Sequence, residues 1–313
     1  MQPPRRRDAM SAQARILLTG AGGFLGREVA RALSAHHVIG VARHPAANAA
    51  VAEWIQADLL HCDMQTVAEE ARADTLIHLA WTTEHGKFWT AKDNLDWAAA
   101  TLRLLRSFDA AGGKRAVLAG SCAEYDLSAT VDAYCERRDL PSPHTLYGTA
   151  KDATRRMAEA YCRESGLSFA WARIFFLFGP HEHPNRLGGS IAKALVLDEE
   201  ARCSSGIHLR DFLSTADAGG AIAALALSGV GGAVNIGSGT AMSIGDFARA
   251  FGDAAGRPDL IRLGAMPDRP GDPARIVADI TRLRDEVGFR ASVTFEQRVR
   301  ETLDWWRTAE ASG

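Results

Sequence analysis

Tyr147 and Lys151 stand four residues apart, so any helix that carries them presents both on one face. A phenol beside an ammonium makes a proton donor. Tyrosine alone titrates at about pH 10, and a fixed positive charge close by favours its anion, drawing that value toward the range in which a carbonyl oxygen takes up a proton. Ser121 follows the apolar run Ala116-Val117-Leu118-Ala119 and Gly120, which puts its hydroxyl at the carboxyl end of a strand, where it can hydrogen-bond the same carbonyl. An ordinary surface helix gives the same Tyr-x-x-x-Lys spacing, so the trio takes its meaning from what precedes it.

Residues 14–26 read Ala-Arg-Ile-Leu-Leu-Thr-Gly-Ala-Gly-Gly-Phe-Leu-Gly, and the helical pattern Arg27 to Leu33 follows: strand, glycine turn, helix. Gly20, Gly23 and Gly26 let the backbone approach a pyrophosphate, whose charge then meets a helix amino terminus. The spacing is Gly-x-x-Gly-x-x-Gly, because Leu25 stands where the commoner dinucleotide fingerprint has its last glycine.

With Ser121, Tyr147 and Lys151 in order behind this turn, the chain resembles the extended short-chain dehydrogenase/reductase family of nucleotide-sugar epimerases, dehydratases and reductases. The resemblance covers nearly the whole chain. It includes Asp58-Leu59, Ile77-His-Leu79-Ala80, Asn94, Arg173 to Pro180, Arg210-Asp-Phe-Leu213, Asn235 to Gly239 and Arg269-Pro-Gly-Asp272. It implies that Ser121, Tyr147 and Lys151 are catalytic. It also implies a nicotinamide dinucleotide held by the glycine turn with Phe24 and Leu25, by Asp58, Leu59, Leu79, Ala80 and Trp81, and by Asn94, Tyr147, Lys151 and Phe175. Asp58 is expected to face the adenine, although an aspartate after a strand is as often a turn former.

Composition sets the broad class. A chain of 313 residues with 47% apolar content can bury a large core. Thirty-six basic against thirty-eight acidic residues leave a net charge of -2, so no global field draws the protein to nucleic acid or an anionic membrane. Cysteines 62, 122, 135, 162 and 203 are odd in number and lack a Cys-x-x-Cys pair, which favours free thiols in a reducing compartment and no metal. Arg5-Arg6-Arg7 is not followed by an apolar stretch of signal length, and no segment reaches about 18 uninterrupted apolar residues. The expectation is a cytoplasmic enzyme with a disordered leader over residues 1–13.

Strand-like runs at 15–19, 37–42, 53–57, 75–80, 115–120 and 169–175 alternate with helical patterns such as 24–34, 94–111 and 147–165. That alternation predicts an α/β fold, a doubly wound parallel sheet of the Rossmann type, with ligands at the carboxyl ends of its strands. Residues 14–180 form the dinucleotide-binding domain, to which a segment at about 208–240 returns. Residues 181–207 and 241–313 form a smaller, mainly helical substrate lobe, closed by an amphipathic helix from Phe295 to Trp306. By resemblance, a homodimer pairs through helices at about 94–111 and 147–165.

In this fold a carboxylate ending the second strand selects NAD through the ribose diol. Here Val38 to Ala42 is followed by Arg43-His44. Arg43 suits a 2′-phosphate, which favours NADP while leaving NAD open. Dehydratases of the family place acidic residues between the catalytic serine and the next tyrosine, and C3/C5 epimerising members a cysteine, to take a proton from carbon beside a ketone. In Ser121-Cys122-Ala123-Glu124-Tyr125 that position is Ala123; Cys122 is one place off, and Glu124 is expected on the far side of an extended segment. Hydride transfer at one carbinol or ketone remains, as 4-keto reduction with NADPH or C4 epimerisation with retained NAD.

Relatives grip a nucleotide diphosphate with arginines at the positions of Arg210 and Arg269, which favours that role here over internal pairing with Asp211 and Asp272. Phe176 replaces a common asparagine and hints at a deoxy carbon, Trp81 narrows the pocket, and Cys122 adjoins it. His181 and His183 lack a third ligand and are read as solvated. Two rivals are a reductase of non-sugar carbonyls and a non-catalytic NADP-sensing protein.

Overall fold

The computed structural model describes residues 13–45, 48–82 and 84–311, so the expected leader, apart from Gln13, lies outside the described residues. The strands, in chain order, are β1 (Arg15–Thr19), β2 (His37–Ala42), β3 (Glu53–Gln56), β4 (Thr75–His78), β5 (Arg115–Ser121), β6 (Ser168–Ile174), β7 (Phe176–Phe178), β8 (Ala201–Arg202), β9 (Leu209–Ser214), β10 (Gly232–Ile236), β11 (Ala241–Ser243), β12 (Ile261–Arg262) and β13 (Arg275–Ile276). The helices are α1 (Gly26–Ala32), α2 (Met64–Ala71), α3 (Asn94–Ala110), α4 (Leu146–Ser165), α5 (Leu187–Val196), α6 (Thr215–Leu227), α7 (Ile244–Ala255) and α8 (Phe295–Ala311).

Seven strands pair in the order β10-β6-β5-β4-β1-β2-β3, every pair parallel. Parallel strands are covered on both faces, which is why β1 and β5 read as continuous apolar runs and why Ile16, Leu17, Leu76 and Ala116 have no exposed surface. On one face α1 and α6 bury Val29, Ala30, Ala218 and Ile222; on the other, α2, α3 and α4 bury Val67, Leu104, Phe108 and Ala158. This is the doubly wound sheet the alternation predicts. The strand order reverses between β1 and β4, and the carboxyl ends of β1, β4, β5 and β6 open on one edge.

The smaller lobe has its own core, in which Phe178, Phe212, Phe247 and Phe251 interlock and the rings of Phe212 and Phe247 lie 4.0 Å apart. It is less purely helical than expected: β9 pairs with β7, β11 and β13 in a second sheet. Of the segment expected to return at 208–240, only β10 joins the main sheet. Asp211 explains the diversion of β9. Its buried carboxylate accepts from the backbone N–H groups of Ser238 (2.6 Å), Gly239 (2.9 Å) and Ala278 (3.1 Å), tying β9 to the segments before β11 and after β13.

Candidate active site

Ser121 ends β5 in an extended conformation and caps a single 3-10 turn, Cys122–Glu124. Its hydroxyl accepts from Ala123 N–H at 3.2 Å, while the Glu124 carboxylate reaches back to Ser121 N–H at 2.7 Å. The segment is therefore turned, not extended as the sequence suggested. Glu124 still leaves the site, but by curling into the core, where it accepts from Trp171 Nε1 at 2.8 Å and pairs with Arg173 Nε at 2.8 Å.

Helix α4 starts at Leu146 because Thr145 caps it, its hydroxyl accepting from Gly148 N–H at 3.1 Å. A Cβ on residue 148 would stand 2.3 Å from Ala123 O, so glycine lets the first turn of α4 rest directly on the 3-10 turn. That contact brings Tyr147 close enough to Ser121 for the serine hydroxyl to bear on its phenol. The phenol ring sits edge-on to Phe88 (4.9 Å) and Trp89 (5.7 Å), and Tyr147 N–H donates to Trp89 O at 3.1 Å. One helical turn on, Lys151 is buried; its Nζ donates to Ala119 O at 2.9 Å, 5.9 Å from the tyrosine ring centre.

The electrostatics differ from the expectation that Lys151 depresses the phenol. Burial pushes the Tyr147 hydroxyl above its ordinary value, opposed by the Ser121 hydrogen bond and the Arg186 charge. Burial also pulls the Lys151 ammonium down to about 7, with the Glu124 charge opposing it. Desolvation, which spacing does not reveal, outweighs the pair's mutual effect in the protein alone.

Around the glycine turn, Gly23 N–H donates to Gly20 O at 2.9 Å, and a Cβ on residue 26 would lie 1.9 Å from that same oxygen. Phe24 and Leu25 lead into α1, both half-buried. The Thr19 hydroxyl accepts from the N–H groups of Leu79 and Ala80 and bonds His78 Nδ1 at 2.7 Å, locking the end of β4 to that of β1. Burial and the Lys151 charge hold His78 down at about 3, so its ring is neutral. Asp58 accepts from Leu60 N–H at 3.1 Å and Leu59 is buried beneath it. Arg43 is exposed after β2 and makes no ion pair among the described residues. The turn, packed too closely for a Cβ at position 26, fits a dinucleotide's pyrophosphate.

Trp81 is buried over Lys151, and Asn94 is consumed internally, its amide donating to Phe88 O and Ala91 O while its oxygen accepts from Trp81 Nε1. Phe175 is buried in a small cluster with Tyr125 and Cys122, whose thiol burial pushes up to about 12. Arg210 is buried against Phe176, its guanidinium 5.5 Å from that ring, and pairs with Asp272 at 2.7 Å. Arg269 lies exposed on the neighbouring turn. Three groups went unnoticed in the sequence: Phe88 and Trp89, visible only as an aromatic pair in a loop, and Arg186 at the start of α5. His183 stacks on His85 at 6.0 Å and His181 lies tilted against Trp305 at 4.6 Å; no metal cluster forms among the described residues.

A Ser-Tyr-Lys trio at the carboxyl edge of a doubly wound sheet, beside a glycine turn, defines a nicotinamide-dependent enzyme of the dehydrogenase type. The NAD dependent epimerase/dehydratase family model matches residues 16–237, and the chain belongs to that family. It is 26% identical over 312 residues to the UDP-glucose 4-epimerase of Mycolicibacterium smegmatis, covering 94% of this chain and 98% of that one. It is also 26% identical over 323 residues to the dTDP-glucose 4,6-dehydratase of Streptomyces niveus, with 95% and 94% covered. The solved structure of MoeE5 with UDP-glucose and NAD superposes with a TM-score of 0.81 at 27% identity, covering 94% of this chain and 99% of that one.

Proposed function

We propose that the protein reduces the C4 ketone of a nucleotide-diphosphate-linked deoxyhexose with exchangeable NADPH. The observation that carries the reading is a proton donor without a carbon base. Ser121 bears on the phenol of Tyr147, while Ala123 has no acid or base function, Glu124 is turned into the core against Arg173, and the Cys122 thiol stays protonated. Such a site can add or remove hydrogen at one carbinol but has nothing to abstract a proton from the adjacent carbon.

Ser121 orients the ketone oxygen by a hydrogen bond, and Tyr147 gives its proton to that oxygen as it gains charge. Lys151 stabilises the phenolate left behind. Phe88 and Trp89 keep water from the phenol's edges. When bound, the nicotinamide supplies the hydride; the glycine turn, Asp58, Lys151 and Arg43 would hold that dinucleotide, Arg43 at the 2′-phosphate. Arg269 and Arg210 would take the diphosphate, Arg210 by exchanging Asp272 for it. Phe176 suits an apolar sugar carbon. The exposed Leu95 and Met157 on α3 and α4 suit a second copy of the chain. Among the described residues no helix is long and apolar enough to cross a membrane.

A C4 epimerase with retained NAD is the second reading, favoured by the named activity of the mycobacterial relative. Purified protein separates the two. Empty protein that oxidises NADPH with a nucleotide 4-keto-deoxyhexose supports the reductase; co-purified NAD with no net cofactor turnover supports the epimerase. Tyr147→Phe is expected to lower turnover by about a hundred- to ten-thousand-fold with dinucleotide affinity kept. Equal turnover in that variant defeats both.

A further inference from the structure

Lys151 is a buried cation without an anion. It makes no ion pair among the described residues, because Glu124, the carboxylate that acts on it, is committed to Arg173, Trp171 and Ser121 N–H. His78, which its charge also reaches, is neutral, and Tyr147 on the same helix face is a protonated phenol. What meets the ammonium, besides the Ala119 carbonyl at 2.9 Å, is the ring of Trp81, whose centroid lies 3.7 Å from Nζ.

We propose that Trp81 is the positioning residue of Lys151: its indole face holds the ammonium in place and in its charged form, and Asn94 fixes the indole at the required angle. An ammonium within about 6 Å of a ring face is attracted by the quadrupole, most strongly for tryptophan and most when water is excluded. Both conditions are met, since Trp81 and Lys151 are each buried. The ring is not free to tilt. Its Nε1 donates to Asn94 Oδ1 at 2.8 Å, Asn94 is pinned by Phe88 O at 2.7 Å and Ala91 O at 2.8 Å, and Trp97 stacks on the indole at 6.4 Å and 29°. Every hydrogen-bonding atom of the Asn94 side chain is thereby used. Because the same asparagine holds the carbonyl of Phe88, whose ring abuts Tyr147, one residue at the start of α3 places the surroundings of both the lysine and the tyrosine.

The lysine's catalytic meaning rests on the reductase reading, so its titration is measured apart from turnover. In protein carrying isotope-labelled lysine, the Cε signal of Lys151, identified by its loss in Lys151→Met, is followed against pH. Trp81→Leu keeps an apolar side chain at this position but removes the π face, and its midpoint is expected to fall by about one pH unit, a roughly tenfold loss of charged lysine at a given pH. Trp81→Phe keeps a weaker face and loses the Asn94 bond, so its midpoint falls by less; it also serves if the leucine variant fails to fold. An unchanged or higher midpoint in the folded variants overturns the proposal. In kcat/KM profiles the limb due to Lys151 moves by the same amount. Absence of turnover with every keto sugar tried would overturn the reductase reading alone, while the titration still decides the role of Trp81.

Discussion

Removing the lysine ought to make this protein more stable as it makes it inactive. Lys151 is the perturbation, replaced by methionine of similar length. The fall of its ammonium from 10.5 to about 7 corresponds to about 5 kcal/mol of unfavourable charge burial. The indole of Trp81 offsets about 2 kcal/mol of this, and methionine forfeits about 1 kcal/mol with the Ala119 carbonyl bond. Lys151→Met is therefore expected to gain about 2 kcal/mol at about pH 6, read as a higher midpoint in urea unfolding. The sign with pH is fixed by linkage. The unfolded chain holds this proton up to 10.5 and the folded one only to about 7, so wild type gains stability as pH rises between those values. The charge penalty is complete below 7 and gone above 10.5, and the variant's advantage should shrink by more than half at about pH 9. A variant no more stable than wild type at the lower pH, or an advantage independent of pH, would refute the buried-ammonium account.

Three other outcomes are expected. Glu124→Gln leaves the buried Arg173 guanidinium without its carboxylate and should cost about 3–5 kcal/mol in the same unfolding experiment; a loss within error would show the pair to be expendable. Gly26→Ala drives a methyl to 1.9 Å from Gly20 O, so NADPH affinity measured calorimetrically should fall by about tenfold or more. Met157→Glu puts a charge on the surface of α4 at a residue 60% exposed, and if α4 carries the proposed self-association, sedimentation velocity should show a dimer for wild type and a monomer for the variant.

The parallel sheet is legible in the sequence because strands buried on both faces must be apolar throughout, and β1, β4, β5 and β6 appear where the runs predict. The glycine turn and the trio are legible for the same reason: each depends on residues near one another in the chain. What could not be read depends on distant partners. The second sheet exists because Asp211 gathers three N–H groups from residues 27 to 67 positions away, and β8 and β12, two residues each, pair only across the lobe. The titration of Tyr147 and Lys151 came out contrary to their spacing because a charge is visible in a sequence and its desolvation is not. Trp81 stands 70 residues before Lys151, and nothing local tells that its ring covers the amine.

The position that separates chemistries in this family is thus not in the trio. An epimerase and a dehydratase are equally similar to this chain, each at 26% identity over almost its full length, so overall likeness cannot choose between them. The proposed choice rests instead on the turn after Ser121. In one dimension Glu124 stands one place past Ala123, the position read as that of a dehydratase's acid. In three dimensions the capping contact with Ser121 N–H swings it away from Tyr147, and the Trp171 and Arg173 side chains hold it as a counter-ion. That carboxylate cannot serve carbon chemistry without abandoning a buried guanidinium, a loss of several kcal/mol. Ala123 brings no acid or base, and its backbone carries the first turn of α4, which seats Tyr147 near Ser121. The turn that holds Glu124 in the core also supports the first turn of α4, so the proposed hydride chemistry rests on this local geometry as well as on an absent residue.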